Sequence, residues 1–391
     1  MKVVILAAWQ WTRLKPLTNT IPKPLIKICW KSIIEHNLES LRKFATEIVI
    51  VVKYLEDEII NKLWNNYKWI PIKYHKQWDE KWTGAAIKNM EGKVGDLIIM
   101  VWDQIFLKED IKKVIKLKWY GGLVTRVKQP EKYGIFKEND KGFAEKVIEK
   151  PKKFIWDLAN ISFYKINSEI FELIKSLKVS IRWEIEITDA INLFIKKHNY
   201  KLIEWKFIDV WYPWDILNAN KYFLDKLKKS KIKGKKEKNV VIKWNVIVEK
   251  GTILKSWTYI EWNCYIWKDS IIWPNCYIRW NTVIWNNCKV WNAVEIKNSS
   301  LWDNTNVAHL SYIWDSIIWN NVNIWWWFMV ANLRHDEANI KVPVKWELTD
   351  TWLKKFWCVI WNNVKTWMWT KIYPGRVIEN DSLTIPGEIV K

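Results

Sequence analysis

Two hydrophobic patterns divide the chain. From residue 1 to about 228, short apolar runs alternate with segments whose apolar positions recur every three or four residues. Residues 3–6, 48–52, 97–101 and 122–127 read as strands, and 32–44, 111–117, 168–177 and 187–197 as helices. Strand alternating with helix predicts an α/β, Rossmann-like domain, a mostly parallel sheet covered by helices. Residues 229–238 are densely basic with little to bury, the pattern of a linker. From 239 to 391 the period becomes six. Ile242, Val248, Leu254, Ile260, Ile266, Ile272, Ile278, Ile284, Val290 and Ile296 follow one another at that spacing without a break. The register slips and resumes at Leu301, Val307 and Ile313, and again at Ile360, Thr366 and Ile372. A six-residue period fits neither a helix nor a plain alternating strand; it predicts a parallel β-helix of hexapeptide repeats. Cys264, Ser270, Cys276, Thr282 and Cys288, two places before the aliphatics, should point inward with them.

Composition changes this picture in one respect. Thirty-four tryptophans stand against 11 glycines, although glycine is ordinarily about 7% of residues. The tryptophans fall beside turn formers, in W-N-N, W-D-N, W-K-D and W-T-K, and in the triplet Trp325-Trp326-Trp327. Those are glycine contexts. We read most of them as glycine positions: one codon, UGA being the obvious candidate, rendered as tryptophan where the organism reads glycine.

Other global features exclude more than they assign. No stretch approaches the ~18 unbroken apolar residues of a membrane helix, and the opening MKVVILAA is a buried strand rather than a leader. The five cysteines show no C-x-x-C spacing, which fits reduced core residues of a cytoplasmic protein. A net charge of +21 accompanies abundant lysine without aromatic interleaving, so nucleic acid is not an expected partner.

With Trp9 and Trp11 as glycines, the first strand runs into L-A-A-G-x-G-T-R-L…P-K-P-L over residues 6–25. Such a loop lets backbone N–H groups approach a triphosphate, and any side chain at 9 or 11 would stand in the way. The string resembles the signature of the sugar-1-phosphate nucleotidylyltransferases. The resemblance implies nucleotide binding by Leu6, Ala8, Trp9, Trp11 and Thr12, and by Gln77, Trp82 and Thr83, which match Q…G-T-G-A-A. It implies catalytic cations at Arg13, on the departing pyrophosphate, and Lys23, on the reacting phosphates. Asp103, in V-W-D after a buried strand, and Asp209, in D-V-W-Y-P-W-D, would hold Mg²⁺. Gly134 of Y-G, Glu149 and Lys150 of E-K-P, Asn160 and Glu184 would meet the sugar phosphate. The chain departs from the family at Ser162, which stands in a glycine place.

The second half, through HLSYIWDS and ANLRHDE, resembles the acetyltransferase half of the bifunctional N-acetylglucosamine-1-phosphate uridylyltransferase/glucosamine-1-phosphate acetyltransferases, in an archaeal-like form. By that resemblance the β-helix is left-handed and His309 is the general base toward a sugar amine. Arg279, Lys297, Tyr312, Asn323 and Asn332 would hold the acceptor and acetyl group. Acetyl-CoA is the co-substrate, and a homotrimer is implied because the family's site lies between neighbouring chains. The expected products are an NDP-sugar, with UTP the preferred donor, and an N-acetylated amino-sugar phosphate. The alternatives are a monofunctional nucleotidylyltransferase whose β-helix only assembles or regulates, and a non-catalytic scaffold. His309 with Arg279 and Lys297 argues against the first, and intact Arg13, Lys23, Asp103 and Asp209 against the second.

Overall fold

A computed structural model describes residues 1–8, 12–77, 95–177, 185–205, 208–345 and 347–391. The chain forms two compact units: Met1–Gln10, Ile21–Lys27 and Lys31–Asp209 make one, and Trp11–Thr20, Ile28–Trp30 and Val210–Lys391 the other.

The apolar runs at 3–6, 48–52 and 97–101 become β1 (Lys2–Leu6), β2 (Glu47–Val52) and β4 (Leu97–Val101), and β3 (Ile70–Lys76) is a further strand that the apolar runs did not mark. β1 lies between β2 and β4 and is parallel to both, and β3 continues the parallel edge beyond β2. β1, β2 and β4 lose both faces to the core, which is why they read as continuous apolar runs rather than alternating ones; Val3, Val4 and Ile5 have no exposed surface. β5 (Tyr120–Arg126), β6 (Gly134–Glu138), β7 (Ala144–Glu149) and β8 (Leu158–Ile166) extend the sheet. β8 runs antiparallel to β4, β5 and β6, and β7 antiparallel to β6. β9 (Tyr200–Glu204) returns parallel to β5.

Five described helices accompany this sheet: α1 (Ile33–Leu41), α2 (Glu56–Leu63), α3 (Lys108–Ile115), α4 (Glu169–Ser176) and α5 (Ile187–Lys197). Ser32, expected inside α1, instead caps it: its hydroxyl accepts from Glu35 N while Glu35 Oε2 accepts from Ser32 N. That reciprocal capping box ends the helix where the periodicity alone could not.

The second unit is a parallel β-helix. Its coils build three parallel sheets of eight, six and eight short strands. One ladder runs Val248, Ile266, Ile284, Leu301, Ile318, Ile360, Ile378, each paired with the next. The hexad aliphatics from Val248 to Ile296 are wholly buried, as are Cys264, Ser270, Thr282 and Cys288. The register slip leaves the fold intact because Ile284 pairs with Leu301 and Ile296 with Ile313, one residue short of the earlier coils. Between Val330 and Cys358 the chain leaves the coil and carries an antiparallel hairpin, Lys341–Val344 with Glu347–Asp350. The basic stretch 229–238, expected as a linker, supplies the first rungs: Lys231–Ile232 and Lys235–Lys236 pair in parallel with the coil above. All four residues are exposed, so a rung there needs no apolar residue to bury. Helix α6 (Asp215–Leu224) and the segment at 28–30 group with this unit. Asn220 Oδ1 accepts from Cys29 N at 2.8 Å, and Trp267 Nε1 donates to Cys29 O at 3.0 Å.

One row of corners is closed by asparagine. Asn287, Asn304, Asn321 and Asn363 have φ between +55° and +61°, where asparagine is tolerated better than most residues. Their amides form a ladder: Asn287 Nδ2 donates to Asn304 Oδ1, Asn304 to Asn321, Asn321 to Asn363, and Asn363 to Asp381, at 2.8–3.1 Å.

Candidate functional site

In the first unit the site gathers at the carboxyl end of β4, beside the topological switch where α/β sheets take ligands. Asp103 lies two residues past the strand and is buried, and Lys23, on a turn of 3₁₀ helix at Lys23–Leu25, is more deeply buried still. Lys23 Nζ stands 3.7 Å from Asp103 Oδ2 and 5.6 Å from the Trp102 ring. Burial raises the pKa of the Asp103 carboxyl above its ordinary value, and Lys23 offsets only part of that rise. Asp103 Oδ1 is buried without a hydrogen-bond partner among the described residues. An isolated bridge between Gln104 and Asp209 sets the backbone of the second expected metal carboxylate beside the first. An unsatisfied carboxylate oxygen and a second carboxyl-bearing segment fit a hard divalent cation. No three acidic, histidine or cysteine groups among the described residues are placed to hold one unaided, so such an ion would need phosphate oxygens as well.

The expected sugar-side motifs are brought together by pairing of β6 with β7. Gly134 pairs with Glu149, and Lys150 N donates to Tyr133 O at 2.9 Å. A Cβ at residue 134 would come within 2.7 Å of Glu149 Oε2, so a side chain there would displace the Glu149 carboxylate. Asn160 sits on β8, its Nδ2 donating to Tyr164 Oη at 2.7 Å and its Oδ1 accepting from Ser162 N at 2.9 Å. Ser162, in the family's glycine place, keeps the glycine-like backbone with φ +53°. Leu6 and Ala8 are buried at the end of β1, and Gln77 is buried just past β3, its N–H bonded to Val52 O at 3.0 Å. Trp9, Trp11, Trp82, Thr83 and Glu184 lie outside the described residues, as does the side chain of Thr12. Arg13, in the second unit, stacks over Trp211 at 5.0 Å and Tyr212 at 5.7 Å.

A second cluster occupies one sheet of the β-helix. Arg279 forms ion pairs with Glu295 at 3.0 Å and Glu261 at 3.6 Å, and lies 4.6–5.2 Å from the rings of Trp280, Tyr277 and Trp314. Lys297 Nζ stands 4.1 Å from the Trp314 ring, and burial lowers its pKa. Tyr312 packs on Trp314 and Trp357, and burial raises its hydroxyl pKa. Asp315 joins Asn298 and Asn332; burial raises its carboxyl, while Asn298, Lys297, Asn332 and Lys355 lower it. Pairing of successive rungs sets Arg279, Lys297 and Tyr312 together whatever stands at 314, since Arg279 N donates to Ile296 O and Glu295 pairs with Tyr312, and Asp315 adds Asn332. The other two expected residues stand elsewhere on the same chain. His309 is exposed at the corner before Tyr312–Trp314, near Trp291, and Asn323 lies on a neighbouring sheet. Asp315, Glu261 and Glu295 were not among the residues expected from sequence. Coil arithmetic brings the two glutamates within reach of Arg279, because they stand one coil below and one above it.

Residues 2–226 match the family model described as nucleotidyl transferase, and 260–367 match one described as GMPPB C-terminal domain. A bifunctional sugar-1-phosphate nucleotidylyltransferase/acetyltransferase of Sulfurisphaera tokodaii is 37% identical over 395 residues, 100% of this chain and 97% of the relative. The bifunctional protein GlmU of Methanocaldococcus jannaschii is 38% identical over 349 residues, 88% of this chain and 84% of the relative. A solved UDP-glucose pyrophosphorylase bound to UDP-glucose superposes with a TM-score of 0.51 at 22% identity, covering 57% of this chain and 99% of the other, a likeness of fold.

Proposed function

The chain belongs to the nucleotidyl transferase family, among its bifunctional sugar-1-phosphate nucleotidylyltransferase/acetyltransferases, and from that membership we propose two reactions on separate sites. In the first, a sugar-1-phosphate oxygen attacks the α-phosphorus of an NTP, UTP for preference, and pyrophosphate leaves. The protein's part is positioning and charge. Lys23, held beside Asp103 at the carboxyl end of β4, neutralises charge growing on the reacting phosphates, and Arg13 draws on the pyrophosphate. Mg²⁺, held by Asp103, Asp209 and phosphate oxygens, would supply further charge neutralisation there. Gly134, Glu149, Lys150 and Asn160 seat the sugar phosphate.

In the second reaction, His309 takes a proton from an amino-sugar amine as it attacks the thioester of acetyl-CoA; the C–S bond breaks, the N-acetyl amide forms, and coenzyme A leaves as the thiol with that proton. Arg279 and Lys297 hold the acceptor phosphate, while Tyr312, Asn323 and Asn332 orient sugar and acetyl group. His309 and Asn323 stand apart from the Arg279 cluster, and Leu310, Trp325 and Met329 near them are exposed. Both features support a homotrimer whose sites are completed by a neighbouring copy. No described helix is long and apolar enough to cross a membrane, and we place the enzyme in the cytoplasm.

The buried Lys23–Asp103 pair carries the first reading. Its test is pyrophosphate release from UTP and glucosamine- or N-acetylglucosamine-1-phosphate with Mg²⁺, using chain that carries glycine at the positions argued above. Asp103→Ala should lower kcat by at least about a hundredfold, the scale of losing one preorganised electrostatic group. Unchanged turnover would remove Asp103 from the reaction.

A further inference from the structure

Besides Glu261 and Glu295, which pair with Arg279, a third carboxylate with no assigned substrate contact lies beside the sheet that carries Lys297. Asp315 occupies a coil corner with φ +44° and is only 5% exposed. Each of its oxygens takes an amide: Oδ1 accepts from Asn298 Nδ2 at 2.6 Å, and Oδ2 from Asn332 Nδ2 at 3.3 Å. Its backbone is tied on both sides as well. Its N–H donates to Lys297 O at 3.0 Å, and its carbonyl accepts from Trp357 N at 3.2 Å. Asn332 stands where the chain leaves the coil after Val330, and Trp357 where it returns. Both ends of that excursion therefore meet at one residue, next to the coil bearing Lys297.

The chemistry of the side chain matters here. An amide offers a donor at one end and an acceptor at the other, and either end can face a given partner. A carboxylate accepts on both oxygens. Between two amides it fixes both in one sense, with each NH₂ turned toward it. Asn332 then presents its Oδ1 on the opposite side, where a donor on the substrate, a hydroxyl or an amine, can be received. An asparagine at 315 would set one NH₂ against another and break one of the two bonds.

We infer that Asp315 is a positioning residue for acetyl transfer: it sets the sense of the Asn332 amide and clasps both ends of the 331–356 excursion to the coil that carries Lys297. This rests on the acetyl-transfer reading given above. The test uses the full chain, again with glycine at the positions argued above, and compares wild type, Asp315→Asn and Asp315→Ala. Acetyl-CoA consumption with glucosamine-1-phosphate gives kcat and KM, and hydrogen–deuterium exchange follows residues 331–356. Asp315→Asn should raise KM for the sugar phosphate roughly tenfold, the scale of one hydrogen bond to a charged group, with kcat falling less and the melting temperature held. Asp315→Ala should also speed exchange across 331–356 while the buried strands at 260–296 stay protected. Wild-type KM in Asp315→Asn, or unchanged exchange in Asp315→Ala, would overturn the inference. If the wild type acetylates no amino-sugar phosphate, the underlying reading fails and the catalytic part of this one falls with it. The exchange data then decide separately whether the clasp exists.

Discussion

Eight described tryptophans, Trp64, Trp69, Trp244, Trp257, Trp262, Trp327, Trp352 and Trp369, hold a positive φ between +53° and +80°. A residue with a Cβ pays for that conformation with strain on the order of 1–2 kcal/mol, and glycine does not. Most of these side chains are also exposed, Trp69 at 93% and Trp64 at 72%, so burial offsets little of the strain. Trp214 differs. Its φ is −65°, it is buried, and it stacks on Tyr212 at 4.6 Å. Trp102 and Trp285 are buried and are not among the positive-φ residues; their glycine reading rests on motif spacing instead. Two measurements follow. The gene should carry one codon, UGA, at the positive-φ tryptophans and at 9, 11, 82, 102, 285 and 314, but UGG at Trp214. In the literal chain, Trp257→Gly and Trp262→Gly should each raise stability by about 1 kcal/mol, whereas Trp214→Gly should lower it by several, as loss of a buried aromatic does. UGG throughout, or a literal chain destabilised by glycine at 257 and 262, would refute the reading.

At the scale of elements, what was legible followed a short period. The hexad gives one flat strand per face, so ten aliphatics located most of the coil core, and the apolar runs of the first unit located β1, β2 and β4 to within about a residue. The helix ends were less legible, because a cap such as Ser32–Glu35 is set by side-chain bonds rather than by periodicity. The excursion between Val330 and Cys358 breaks the period and left no pattern to follow, and Asp315 stayed hidden with it, since its partners are Asn298 and the two ends of that excursion. Of the expected site, the residues on strand ends, such as Asp103 and Gly134, were the easiest to place, because strand termini and motif spacing coincide there. The corners invite a test of their own. Asn304 combines φ +61° with two ladder bonds. Asn304→Gly removes the bonds alone and should cost about 1 kcal/mol; Asn304→Ala adds backbone strain and should cost about 1–2 kcal/mol more. Chemical denaturation of the two variants separates the terms. Equal losses would mean that the corner stores no preference for a left-handed residue.

At the scale of the molecule, the two expected chemistries draw on different residues: Lys23 and Asp103 stand in the first compact unit, His309 and Arg279 in the second. His309→Ala should therefore abolish acetyl-CoA consumption while pyrophosphate release stays within about twofold, and Asp103→Ala should do the reverse. Paired loss of both activities in either variant would show that the sites are energetically coupled, and absence of acetyl transfer in the wild type would favour a coil that only assembles the enzyme. The asparagine ladder adds a consequence for how whole molecules meet. Every amide in it points the same way along the coil axis, so the row has a polarity, with a donor end and an acceptor end. The last rung is Asp381, which in its charged form accepts from Asn363 and has no proton to pass on. A further coil whose amide kept the same sense would meet an acceptor facing an acceptor. The carboxylate thus breaks the row's relay of donors: a coil laid beyond it has to turn its amide over to find a partner.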